Sequence, residues 1–98
     1  MSGTYRLAPQ AQQDVEDLVD LIAADDFEVA LRVEQELYDA FDFLASKPFI
    51  GHTRTDLTLP VNLRVWPFYS YLIVYRPDAS PLEVVRVWHG ARDKPRLI

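Results

Sequence analysis

Seven side chains in the second half of the chain form a candidate set for holding a phosphate. They are Arg54 and Arg64 in a middle segment, Arg86 and His89 on one β-rich stretch, and Arg92, Lys94 and Arg96 beyond it. Guanidinium groups grip phosphate oxygens in bidentate fashion and histidine titrates near neutrality, so such a set has the means to bind or cleave RNA. Spacing limits how they meet. The two-residue period of a strand puts Arg86 and Trp88 on one face and His89 on the other, so convergence needs a bulge or a change of chain direction. The plainer alternative is a set of solvated surface arginines. Trp66 and Trp88 read as core or partner-groove residues rather than a base-stacking platform.

Other chemistries find less support. With no cysteine, thiol catalysis, disulfide scaffolds and cysteine-type zinc sites are excluded. Gly3, Gly51 and Gly90 are too scattered to build a phosphate-cradling glycine loop, so no nucleotide cofactor is expected. His52 and His89 lie 37 residues apart, and Asp56 and Asp93, four residues after each, fall on no expected helix, so no metal site is expected. Ser2, Ser46, Ser70 and Ser80 occupy the start of the chain and turns without a nucleophile-elbow context.

At 98 residues and 49% hydrophobic content, residues 1–98 form one domain with enough apolar material for a core. The longest apolar run, 71–75, is far too short to span a membrane, and the chain reads as soluble and cytoplasmic. The net charge of −5 conceals a split: residues 1–46 carry −9 and residues 47–98 carry +4. The second half can therefore present a basic face despite the acidic total.

The elements that must position these groups can be read from periodicity. A short strand at 4–7 leads through Ala8-Pro9 into a helix over about 9–24, with Val15, Leu18 and Ile22 on one face. Asp25 precedes Glu28 by the three positions of a capping box. Ala30, Val33, Leu37, Phe41 and Leu44 then stripe a second helix over about 26–46, which Pro48 ends. Strands are expected at 63–66, 71–76 and 82–89, joined by turns short enough only for antiparallel neighbours. Residues 71–75 show no polar alternation and should form a central strand. The fold class is α+β in the order β-α-α-β-β-β, a helical hairpin packed on a small antiparallel sheet.

The order of elements and several strings resemble the ParE/RelE superfamily of toxins from bacterial type II toxin-antitoxin modules, with the closest likeness to the ParE branch. The strings are Tyr5-Arg6-Leu7-Ala8-Pro9-Gln10-Ala11 with Asp14 and Leu18 following, Leu44-Ala45-x-x-Pro48-x-x-Gly51, Leu63-Arg64, and Tyr71-Leu72-Ile73-Val74-Tyr75-Arg76. Val85-Arg86-Val87-Trp88-His89-Gly90-Ala91-Arg92-Asp93 completes the set. The resemblance covers nearly the whole chain. It implies growth inhibition by the free toxin and neutralisation by a cognate antitoxin, expected to be of ribbon-helix-helix type. ParE-like members are understood to inhibit DNA gyrase, whereas RelE-like members cut messenger RNA on the ribosome and tend to be strongly basic.

An acidic chain favours the gyrase branch and a non-enzymatic toxin, with no direct sequence-specific binding of nucleic acid. Target contacts are then expected from Arg86, Arg92, Lys94, Arg96, Leu97 and Ile98. Val29, Tyr38 and Phe43, off the main apolar stripe, are expected to meet an amphipathic antitoxin helix, with Arg54 and Arg64 receiving its acidic side chains. The ribonuclease alternative rests on Asp56, Arg64 and His89, which fall at roughly the positions of a carboxylate, arginine and histidine in some nuclease relatives. A third alternative is a non-toxic binding module of the same fold.

Overall fold

The computed structural model describes residues 4–53 and 62–89. Strand β1 (Tyr5–Leu7) leads into helices α1 (Pro9–Ala23) and α2 (Phe27–Ser46). A single 3-10 turn (Pro48–Ile50) and strands β2 (Arg64–Phe68), β3 (Tyr71–Arg76) and β4 (Leu82–His89) follow. The four strands form one sheet in the order β1-β4-β3-β2. The meander β2-β3-β4 is antiparallel, as the short turns require, but β1 runs parallel to β4, with Tyr5 opposite Leu82 and Leu7 opposite Val84. The sheet is therefore mixed, not purely antiparallel. No turn joins β1 to its neighbour, so local sequence carries no signal for its direction; the long return through both helices decides it.

Each helix starts for an identifiable reason. Pro9 occupies the first turn of α1, where its missing N–H costs nothing, and the Ala8 N–H is spent on the Val84 carbonyl at 2.9 Å, tying the strand-helix joint to β4. The start of α2 differs from the sequence reading by one residue. The backbone N–H groups of Asp25 and Asp26 both bond the Ile22 carbonyl, so Asp25 still closes α1. Asp26 is the first extended residue, and its carboxylate accepts from the Val29 N–H at 3.1 Å. Glu28 then stands one position short of the capping-box partner site.

The helices cover one face of the sheet. Val15, Leu18, Leu37, Phe41 and Leu44 pack against Ile73, Tyr75, Leu82, Val84 and Val87, and each fully buried large side chain contributes about 1.5–3 kcal/mol. The opposite face has its own small cluster, in which Leu63, Val65 and Val74 surround Trp88. A bulge divides β4 between the two layers: Tyr75 pairs with Val84 but Val74 pairs with Arg86, leaving Val85 over. Before the bulge Leu82 and Val84 face the helices; beyond it Val87 does, while Arg86 and Trp88 share the other face. Among the described residues no helix is long and apolar enough to cross a membrane.

Candidate functional site

At about 100° per residue around a helix, Val29, Arg32, Glu36 and Phe43 of α2 fall within about 60° of one another, on the flank facing the β2-β3 hairpin. That flank and the hairpin enclose a seam. At one end an open groove of about 400 Å³ is lined by Leu21, Ile22, Val29, Val33, Phe68 and Tyr71, with Arg32, Tyr69 and His89 at its rim. At the other end Phe43 packs on Trp66 with centroids 5.6 Å apart, and His52 stacks on the same indole at 6.0 Å. Phe43 and Tyr69 remain exposed. An apolar groove with exposed Tyr69 at its rim, and exposed Phe43 farther along the same helix flank, form a surface suited to a partner rather than to solvent.

The hairpin tip is held in place against strain. Tyr69 adopts φ 53°, a left-handed conformation unfavourable for a bulky residue, as the two-residue turn between Phe68 and Tyr71 demands. Its hydroxyl donates to Glu36 Oε1 at 2.5 Å, and this hydrogen bond pushes the phenol pKa up. The tip is thereby pinned across the seam to α2. Sequence reasoning passed over Tyr69; an aromatic at the first position of a two-residue turn was the available signal.

Two clasps hold the scaffold around the seam. In the first, buried Tyr75 donates its hydroxyl to the Pro48 carbonyl at 2.7 Å and accepts from the Gly51 N–H at 2.9 Å. Burial raises the Tyr75 pKa, partly offset by the Gly51 hydrogen bond and by Arg64. Arg64 Nη1 donates to the Gly51 carbonyl at 3.0 Å and its guanidinium lies 5.4 Å over the Phe49 ring. In the second, Asp14 of α1 reaches the edge of β4 beyond the point where β1 stops pairing. It accepts from Arg86 Nε at 2.8 Å and Nη2 at 3.2 Å, and from the Val87 N–H at 2.9 Å. The carboxylate thus satisfies a strand-edge donor that β1 is too short to meet.

These contacts sort the residues expected from sequence. Val29 and Phe43 lie on the seam, whereas Tyr38 is about 180° away from Val29 around α2. Tyr38 packs on Phe41 and lines an interhelical cleft with Glu16, Asp20 and Glu34. Arg64 is committed to the Gly51 carbonyl and Arg86 to Asp14. Arg54, Asp56, Arg92, Lys94, Arg96, Leu97 and Ile98 lie outside the described residues.

Arg64 and His89 do not converge. They sit opposite Tyr75 and Tyr71 at the two ends of β3, four residues and two strand spacings apart, roughly 16 Å. The His89 ring packs edge-on to Tyr71 at 5.0 Å and its Nε2 lies 3.5 Å from Ser70 Oγ. The cleft it shares with α1 contains Asp14 and Asp17 and, among the described residues lining it, no arginine or lysine.

The family model described as the ParE toxin of type II toxin-antitoxin system, parDE, matches residues 5–94. Among solved structures, the fold is similar to a chain of the chromosomal ParDE TA system from P. aeruginosa. The TM-score is 0.73 at 15% identity, with 90% of this chain and 96% of that chain covered. No curated protein gives a significant sequence match.

Proposed function

Because the chain belongs to the ParE toxins of type II toxin-antitoxin systems, we propose that it arrests growth by binding DNA gyrase, without catalysis, and that a cognate antitoxin neutralises it. The observation that carries this reading is the surroundings of His89. An RNA-cleaving site needs cationic groups within hydrogen-bond reach of a phosphate as well as a proton-transfer group. On the α1 side His89 shares its cleft with two aspartates, Arg64 is roughly 16 Å away along the sheet, and Arg32 is the one cation among the described residues lining the groove on its other side. Asp14 is paired with Arg86, so Asp17 supplies the uncompensated negative charge of that cleft, which disfavours a phosphodiester there. A surface built for protein contact fits the seam better, since its exposed aromatics have no catalytic geometry to preserve.

In this reading the antitoxin lays an apolar helix face along the α2-hairpin seam, with Val29 and Phe43 as contacts. The segment containing Arg92, Lys94 and Arg96 supplies the contacts to gyrase. Two measurements test it. The purified chain should inhibit DNA supercoiling by purified gyrase, and the product of an adjoining ribbon-helix-helix reading frame should copurify with the chain and restore supercoiling. Unimpeded supercoiling at a large molar excess of the chain would count against the gyrase target.

A further inference from the structure

We propose that the crease between α1 and α2 is a second docking surface, and that its occupant is a cationic amphipathic helix of another protein. The crease runs along the flank of α2 opposite Val29, so both surfaces can be occupied at once and neither reading depends on the other.

The first support is a pattern in α2 that the fold leaves unused. The core takes Ala30, Val33, Leu37, Phe41 and Leu44, all buried. About a quarter turn around the helix, Phe27, Leu31, Glu34 and Tyr38 follow spacings of four, three and four and fall within about 60° of one another. That is the spacing of a seam that packs on another helix. Yet Phe27 is 66% and Leu31 50% exposed, and Tyr38 is half-buried. One exposed apolar side chain is ordinary, whereas three along a stripe of about 17 Å form a patch.

The second support is shape. Glu34 and Tyr38 join Val15, Glu16, Val19 and Asp20 of α1 around an open cleft of about 230 Å³. Two helices side by side with a hollow between them present the groove that a third helix fills in a bundle. Backbone groups inside a helix are spent on their own hydrogen bonds, so an extended segment has no strand edge to pair with here. Side chains must do the recognition, and a helix supplies them at the matching period.

The third support is charge. Glu16, Asp20 and Glu34 line the cleft, and among the described residues lining it there is no arginine or lysine. None of the three carboxylates is ion-paired among the described residues. Glu16 accepts from the neutral Gln12 amide at 3.1 Å, which leaves its charge uncompensated. The two cations of residues 1–46 are elsewhere: Arg6 pairs with Glu83 on the sheet, and Arg32 is about 120° around α2 from Tyr38. Tyr38 registers the same field, its phenol pKa being raised first by burial and then by Glu34 and Glu16. An acidic helix, an anionic membrane or a second copy of this face would each bring like charge to the crease. Lysines or arginines flanking an apolar stripe bring the opposite charge.

The test uses a synthetic helix of about four turns, with leucines at the same spacing flanked by lysines, set against the same peptide with glutamates in place of the lysines. Titrated into the full chain, the lysine peptide should bind and shift the amide signals of Val19, Leu31 and Tyr38, and the glutamate peptide should not bind. Truncating the exposed pair in F27A/L31A should weaken binding at least about tenfold, and so should reversing the rim in E16K/D20K/E34K, with the circular dichroism of the chain unchanged. The proposal is overturned if the lysine peptide does not bind, if both peptides bind alike, or if the shifts centre on the groove around Val29 and Phe68. It is equally overturned if either variant binds as tightly as the parent. A parent chain that self-associates, with the association abolished in F27A/L31A, would assign the crease to a second copy and overturn it too.

Discussion

Replacing Gly51 by alanine builds a methyl carbon 2.2 Å from the Tyr75 hydroxyl oxygen and 2.9 Å from two of its ring carbons. The backbone of Gly51 is in the extended region, so the cost is steric crowding and not a forbidden dihedral. Tyr75 is fully buried in the core and cannot swing away without breaking its hydrogen bonds to Pro48 and Gly51. Overpacking of this kind costs about 1–3 kcal/mol, and stranding a buried hydroxyl or its partners adds about 1–3 kcal/mol. For a domain of this size each kcal/mol moves the melting temperature by about 4–8 °C. Gly51→Ala should therefore melt at least about 8 °C below the parent chain, read by circular dichroism. Tyr75→Phe alone leaves two backbone groups without their partner and should be destabilised as well. The double variant should lose less than the sum of the two, since removing the hydroxyl removes the closest clash. A Gly51→Ala chain that melts within about 1 °C of the parent, or strictly additive losses, would refute the account of this clasp.

Asp14→Ala strips the partner from the Val87 N–H and from Arg86 together and should cost about 1–3 kcal/mol, seen as an earlier urea midpoint; an unchanged midpoint would mean solvent serves that strand edge equally well. Val74→Asp, which places a carboxylate in the fully buried cluster around Trp88, should leave no cooperative thermal transition, because the penalty of several kcal/mol rivals the whole stability of a small domain. The phenols of Tyr69 and Tyr75 are both raised above the ordinary value of 10.0, by the Glu36 hydrogen bond and by burial respectively. Their contribution is whole below pH 10 and lost as pH rises through the folded values, so stability should fall above about pH 10, less steeply in Tyr75→Phe.

The helices were the most legible part of the fold, because five apolar residues of α2 recur at helical spacing and all five are buried. The limits of β3 and β4 likewise follow from their apolar and β-branched composition. Three features were not legible, each for a physical reason. The direction of β1 is decided by a chain path and not by its own three residues. The bulge at Val85 has no marker residue, since Val-Val-Arg-Val reads as ordinary alternation. The capping position depends on how far α1 unwinds, a matter of one hydrogen bond at Ile22.

For the candidate site, the apolar α2 residues Val29 and Phe43 could be found from their place off the stripe. Tyr38 satisfied the same rule but faces the other way, because residues off a stripe divide between two flanks. The arginines were the hardest to interpret. Arg64 and Arg86 are chemically suited to phosphate or partner carboxylates, yet the fold spends them on carbonyls and on Asp14. Their partners are 13 and 72 residues away in sequence, beyond any local pattern.

The central claim is a toxin that acts by contact and not by catalysis, and the most direct measurement is the first response of cells to its induction, compared with the His89→Ala variant and with a chain lacking residues 94–98. The account predicts a DNA-damage response that precedes any fall in protein synthesis, toxicity retained in His89→Ala, and toxicity weakened more by the deletion than by that substitution. Loss of a general acid or base would instead lower the rate on the order of 10²–10⁴. Immediate translational arrest with cleaved messenger RNA, and full protection by His89→Ala, would contradict the account and establish a ribonuclease.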